Sequence, residues 1–206
     1  LGVLGKFLAP DLFARGYLYT VAGFDVFAGE VALAAAAIVV VGIFQYRGVR
    51  HVGGFQLLLT VVLVGGVMAI GFGTPLTAEA SADNWQPLFA SDKSPVAAVM
   101  AIVAISPWLY VGFDTLPQAA EEFDFSPSRG RQLMVWSILA GGLMYVAVIL
   151  ATASVMPWEQ LVASRPIWAT GTTVRASLGS MGVTLLAVAV VAAVATGING
   201  FYMATS

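Results

Sequence analysis

Apolar residues occupy this chain in long blocks that have no polar face. A block of about 20 residues can cross roughly 30 Å of hydrocarbon, and the pattern predicts five such helices, over 26–45, 55–73, 96–120, 133–156 and 181–203. Glu30 stands near the start of the first, and no charge follows from Val31 to Phe44. The second, from Phe55 to Phe72, is rich in Leu, Val and Gly. A soluble amphipathic helix would carry a polar stripe at helical spacing, and neither block does. The fourth and fifth are continuous apart from small residues such as Gly141, Gly142 and Gly197, which read as points of close helix approach. Met68 and Met100 read as lipid-facing or core filler.

The third block is interrupted. The run Ser106-Pro107-Trp108-Leu109-Tyr110-Val111-Gly112-Phe113-Asp114-Thr115-Leu116-Pro117 sets a carboxylate, a glycine and two prolines inside it. Proline removes a backbone donor, glycine loosens a helix, and an ionisable group at membrane depth is costly, so such a break usually lines a cavity inside a bundle. We expect the helix to unwind between Pro107 and Asp114, with Asp114 at an N-cap position and Pro117 in the first turn of a second half-helix. Facing half-helix ends expose free N–H and C=O groups, which suit a zwitterion.

The connecting segments predict an orientation. The links 46–54 and 121–132 are short and carry Arg47, Arg50, Arg129 and Arg131, so they are expected on the cytoplasmic side. The loops 1–25, 74–95 and 157–180 then face outward, and the indoles of Trp85, Trp158 and Trp168 suit a water–lipid boundary or a folded cap. Glu30 reads as a solvated residue near the outer interface, and His51 as a loop residue. Glu121 and Glu122 are adjacent on a helix, point about 100° apart, and make no paired acid–base site.

Composition narrows the function classes. The chain has 206 residues, 59% of them hydrophobic and 10% charged, against roughly 25% charged in soluble domains. It is read as an all-α integral membrane protein, multi-pass and of the plasma membrane, with the lipid bilayer as its surroundings. A net charge of -2 and the absence of a basic cluster exclude nucleic acid as a partner. With no Cys and a single His there is neither a disulfide framework nor a thiolate or imidazole metal site. A membrane-embedded enzyme would need a nucleophile with its base, or a metal cluster, at membrane depth, and only one mid-helix carboxylate is present. A channel filter would repeat rings of polar or carbonyl groups, whereas this break occurs once. The chain begins at Leu1 without a signal-peptide pattern and stops at Ser206 directly after an apolar run, so a longer polytopic protein is expected.

Several segments resemble a known family. Val111-Gly112-Phe113-Asp114, then Ala119-Ala120-Glu121-Glu122, a short loop with Ser126-Pro127 and Arg129, and a long apolar helix resemble the sixth-to-seventh helix region of amino acid-polyamine-organocation permeases. Tyr46-Arg47-Gly48-Val49-Arg50 with Gln56 and Thr60 looks like that family's link between helices four and five, and Gly197-Ile198-Asn199-Gly200 like its eighth helix. The resemblance covers nearly the whole chain. It implies helices four to eight of a transporter with the leucine-transporter-like inverted-repeat bundle, the third helix here being the broken one, packed with the remaining helices of the same polypeptide.

The resemblance also implies a site. The unwound stretch offers main-chain carbonyls to a substrate ammonium from Leu109, Tyr110, Val111, Gly112 and Phe113. Trp108 matches an aromatic gate over the substrate, and Asp114 matches an acidic position implicated in substrate or proton sensing. The implied substrate is an amino acid or related amine, with no cofactor. Asp114 is equally a helix cap, and Trp108 and Tyr110 are equally packing residues. One departure stands out: Leu63 occupies the place where several proton-coupled members carry a lysine. Thr196 is a possible oxygen ligand for Na⁺, although a helical Thr normally bonds its own backbone. The coupling ion, H⁺ or Na⁺, stays open. So does the alternative of a non-transporting receptor or subunit with the same fold.

Overall fold

Four of the apolar blocks form helices long enough to span a bilayer. The computed structural model describes residues 1–21, 23–46, 49–111 and 126–205. Its elements are α1 (Gly2–Leu8), α2 (Pro10–Phe13), an antiparallel hairpin of β1 (Tyr17–Val21) and β2 (Phe24–Phe27), α3 (Ala28–Tyr46), α4 (Val49–Gly73), α5 (Pro95–Leu109), α6 (Pro127–Ala153), α7 (Trp158–Ala163) and α8 (Ala169–Thr205). Among the described residues, the spans Ala28–Tyr46, Gly53–Leu76, Pro127–Ala153 and Ala169–Tyr202 are long and apolar enough to cross a membrane. Most of their large side chains are exposed, as lipid-facing residues must be.

The contact between α4 and α8 is set by small residues. A Cβ built on Gly66 of α4 would lie 2.6 Å from the Ala189 Cβ of α8, so these helices approach as closely as glycine permits. Along α8, Val183, Leu186, Ala189 and Ala192 are buried at three-residue spacing. Ile70, Val174 and Leu186 form the buried cluster, with Trp168, Leu178 and Val190 packed against it. At Gly179 the backbone of α8 turns to φ 62°, a conformation that favours glycine, and divides the helix into 169–178 and 180–205. Part of the segment expected as the loop 157–180 is therefore helical.

One end of the bundle is covered by a folded cap. Helix α6 ends there, where Leu150 O accepts the Ser154 N–H at 3.0 Å and the cap supplies further donors to this terminus. Asn84 Nδ2 donates to Ser154 O at 2.6 Å, the Ser81 N–H to the same oxygen at 2.9 Å, and Trp85 Nε1 to Leu150 O at 3.2 Å. Trp158 Nε1 donates to Pro87 O at 2.7 Å. These two indoles therefore close a cap with their N–H groups.

The segment 1–27 completes this cap. Lys6 Nζ lies 3.1 Å from Glu30 Oε1, and the Phe27 N–H donates to Glu30 Oε2 at 3.0 Å. Glu30 is thus paired at the head of α3, contrary to the solvated role expected for it, because the chain before it folds back over it. The Phe7 ring meets Trp168 edge-on at 5.5 Å, and the Arg175 guanidinium sits 4.3 Å from the Phe7 centroid. The opposite end, where α3 finishes at Tyr46 and α4 begins at Val49, is the turn end.

Candidate functional site

Helix α5 starts at the cap and stops early. Ser94 Oγ accepts the Ala97 N–H at 3.2 Å and Pro95 occupies the first turn, a standard helix start. Pro107 is accommodated inside the helix, which runs to Leu109 and closes with the Tyr110 N–H on Pro107 O at 3.3 Å. Fifteen residues amount to roughly 22 Å, less than the hydrocarbon thickness.

The end of α5 is fastened to α6 by two tyrosines. Tyr145 Oη donates to Leu109 O at 2.8 Å, and the Tyr110 and Tyr145 rings meet edge-on at 6.1 Å. Tyr110 Oη lies 2.9 Å from where a Gly142 Cβ would stand, so a side chain there would displace the tyrosine hydroxyl. Tyr110 is half-buried, while Trp108, at 81% exposed, and Val111, at 57%, stand clear of the packed interior. Gly112, Phe113 and Asp114 lie outside the described residues, as do Arg47, Gly48 and 115–125.

Beside this terminus is an apolar cavity of about 360 Å³. Leu63 and Val67 of α4, Gly141, Met144, Tyr145 and Val148 of α6, and Ala193 of α8 line it. Leu63 thus brings a hydrocarbon side chain to the cavity wall, where a lysine would bring an ammonium. Gly141 faces open space, with nothing within 4 Å of a Cβ built on it, whereas its neighbour Gly142 serves the contact with Tyr110.

Sequence reasoning missed Tyr145 and a second polar cluster. Near the turn end, Gln45 Nε2 donates to Asn199 Oδ1 at 2.6 Å, and Asn199 Nδ2 donates to Gln56 Oε1 at 2.8 Å. The signal was present: an amide inside an apolar membrane helix calls for a partner on another helix. Thr60 Oγ1 bonds Gln56 O of its own helix at 2.9 Å. Thr196 departs from the backbone-bonded reading: among the described residues its buried Oγ1 has no partner. No group of three or more His, Cys, Asp or Glu side chains among the described residues is placed to hold a metal ion.

A family model described as amino acid permease matches residues 9–206. The chain belongs to the amino acid permease family. No curated protein and no solved structure matches it. Family membership agrees with the resemblance in the apolar pattern and helix links, and makes the permease a multi-pass membrane protein for amino acid transport.

Proposed function

We propose that this permease moves an amino acid across the membrane by alternating access, holding it where α5 gives way to the segment after Leu109. The observation that carries this reading is the early end of α5: a helix terminus less than a bilayer's thickness from its start, with one carbonyl already held by Tyr145. Trp108, Leu109, Tyr110, Val111, Gly112, Phe113 and Asp114 form the proposed binding stretch. Main-chain carbonyls there face the substrate ammonium, and the N-terminal dipole of a second half-helix faces its carboxylate. The fold in this reading is the inverted-repeat bundle with α5 as the first half of its broken helix, and the turn end lies in the cytoplasm.

Purified permease in proteoliposomes is expected to give saturable counterflow of a labelled amino acid. Binding without flux would instead identify a receptor. Gly112→Val should abolish binding by blocking backbone approach, and an unchanged affinity would overturn this placement. Asp114→Asn is expected to alter the pH profile of uptake; an unaltered profile leaves Asp114 as a cap only. A cysteine replacing Ser126 should react with an impermeant maleimide only from the cytoplasmic side.

A further inference from the structure

Three amide side chains from three helices meet at the turn end. Gln45 belongs to the last turn of α3, Gln56 to the beginning of α4 and Asn199 to the end of α8, separated by 154 and 143 residues from Asn199. Asn199 is 2% exposed and uses both ends of its amide, accepting from Gln45 and donating to Gln56. Gln45 Nε2 also reaches the main-chain Asn199 O at 3.3 Å. One turn further on, Tyr202 Oη donates to Ile38 O at 3.3 Å and rests 2.9 Å from where a Gly42 Cβ would stand. The α8 face that carries Asn199 and Tyr202 is therefore bonded to both α3 and α4.

We propose that Asn199 is a positioning residue at the centre of an uncharged latch, Gln45–Asn199–Gln56, that fastens the turn end of α8 to both α3 and α4 and keeps these three helix ends one body while the permease works. An amide suits this place better than an ion pair. It needs no compensation of charge in a low-dielectric surrounding, and its two ends can serve two partners at once. Asp at 199 would keep the acceptor and lose the donor, Leu would lose both, and Gln would displace both by one methylene. The latch has two separable arms, one to α3 through Gln45 and one to α4 through Gln56.

Separable arms allow a direct test, and these 206 residues contain no cysteine to compete with an introduced thiol. Spin labels at Ile43→Cys and Gly197→Cys read α3 against α8, and labels at Leu57→Cys and Gly197→Cys read α4 against α8. All three sites are exposed, and nothing lies within 4 Å of a Cβ at Gly197. In the full chain in lipid nanodiscs, each pair should give one narrow distance. Gln45→Leu should broaden the first pair and leave the second narrow; Gln56→Leu should do the reverse. Asn199→Leu should broaden both, and Gln45→Asn combined with Asn199→Gln should narrow the first again. Should Gln45→Leu and Gln56→Leu leave both pairs narrow, or each broaden both alike, the latch is overturned.

A second readout rests on the transport reading. With a radiolabelled mixture of the protein amino acids in proteoliposomes, each single-arm variant should lower the maximal uptake rate about fivefold at unchanged KM, the scale of one interhelical hydrogen bond. Absence of uptake by the unaltered chain would overturn the transport reading, while the distance measurements decide the latch separately. Unchanged rates in both single-arm variants of a transporting chain would remove the latch's role in transport.

Discussion

The two ends of α8 are fastened by different chemistry. At the cap end, the head of α8 meets Phe7 through Trp168 and Arg175, and the same short segment holds α3 through the ion pair of Lys6 with Glu30, 19% and 13% exposed. At the turn end, α8 meets α3 and α4 through neutral amides, with Asn199 buried. Charges serve where water can reach them and amides where it cannot, because an ion loses far more solvation on burial than an amide does. Ion pairs are screened by salt and contribute little at partly wet sites, whereas a desolvated amide pair is indifferent to salt. The lesson is that one helix can have an end tuned by the medium and an end independent of it.

The strongest way to break this comparison is to remove what both ends depend upon. Gly66→Leu forces a side chain into the Ala189 contact and should cost about 3 kcal/mol or prevent folding, seen as loss of a cooperative melt in detergent. Asn199→Leu leaves the Gln45 and Gln56 amides without this partner and should cost about 2 kcal/mol, by the same melt, equally at low and high salt. Trp168→Ala removes the edge contact with Phe7 and should cost about 1–2 kcal/mol, with hydrogen exchange rising in 1–27 and not at the turn end. Lys6→Ala should have the smallest effect, under about 1 kcal/mol, and should lose that effect in about 1 M salt. If the Asn199→Leu and Lys6→Ala penalties responded to salt alike, the contrast between the ends would fail.

Legibility differed from element to element. The apolar runs of α3, α4, α6 and α8 could be read directly, because a bilayer demands about 20 apolar residues whatever their neighbours are. The Trp-rich segments were legible as a cap or an interface, but the donors that decide between these, Asn84 and the indoles of Trp85 and Trp158, act on carbonyls 70, 65 and 71 residues away. Glu30 looked solvated because its cation, Lys6, comes from another local segment. At the candidate site, Pro107 and Gly112 marked the region, while the hold of Tyr145 on Leu109 was invisible: a tyrosine in an apolar helix is ordinary until its hydroxyl is seen to face a helix terminus.

By itself the sequence determined the membrane class, the apolar helices and the family, since each follows from properties that add up along the chain: hydrophobic length, charge scarcity and the order of short motifs. Tertiary structure decided which glycine is a contact and which faces a cavity, as Gly142 and Gly141 show side by side. It also decided that Gln45, Gln56 and Asn199 are one cluster rather than three isolated amides. The physical reason is directionality. Hydrophobic transfer depends on how much surface leaves water, which a sequence lists, whereas a hydrogen bond or a close helix crossing depends on where two distant backbones place their atoms, which packing alone sets.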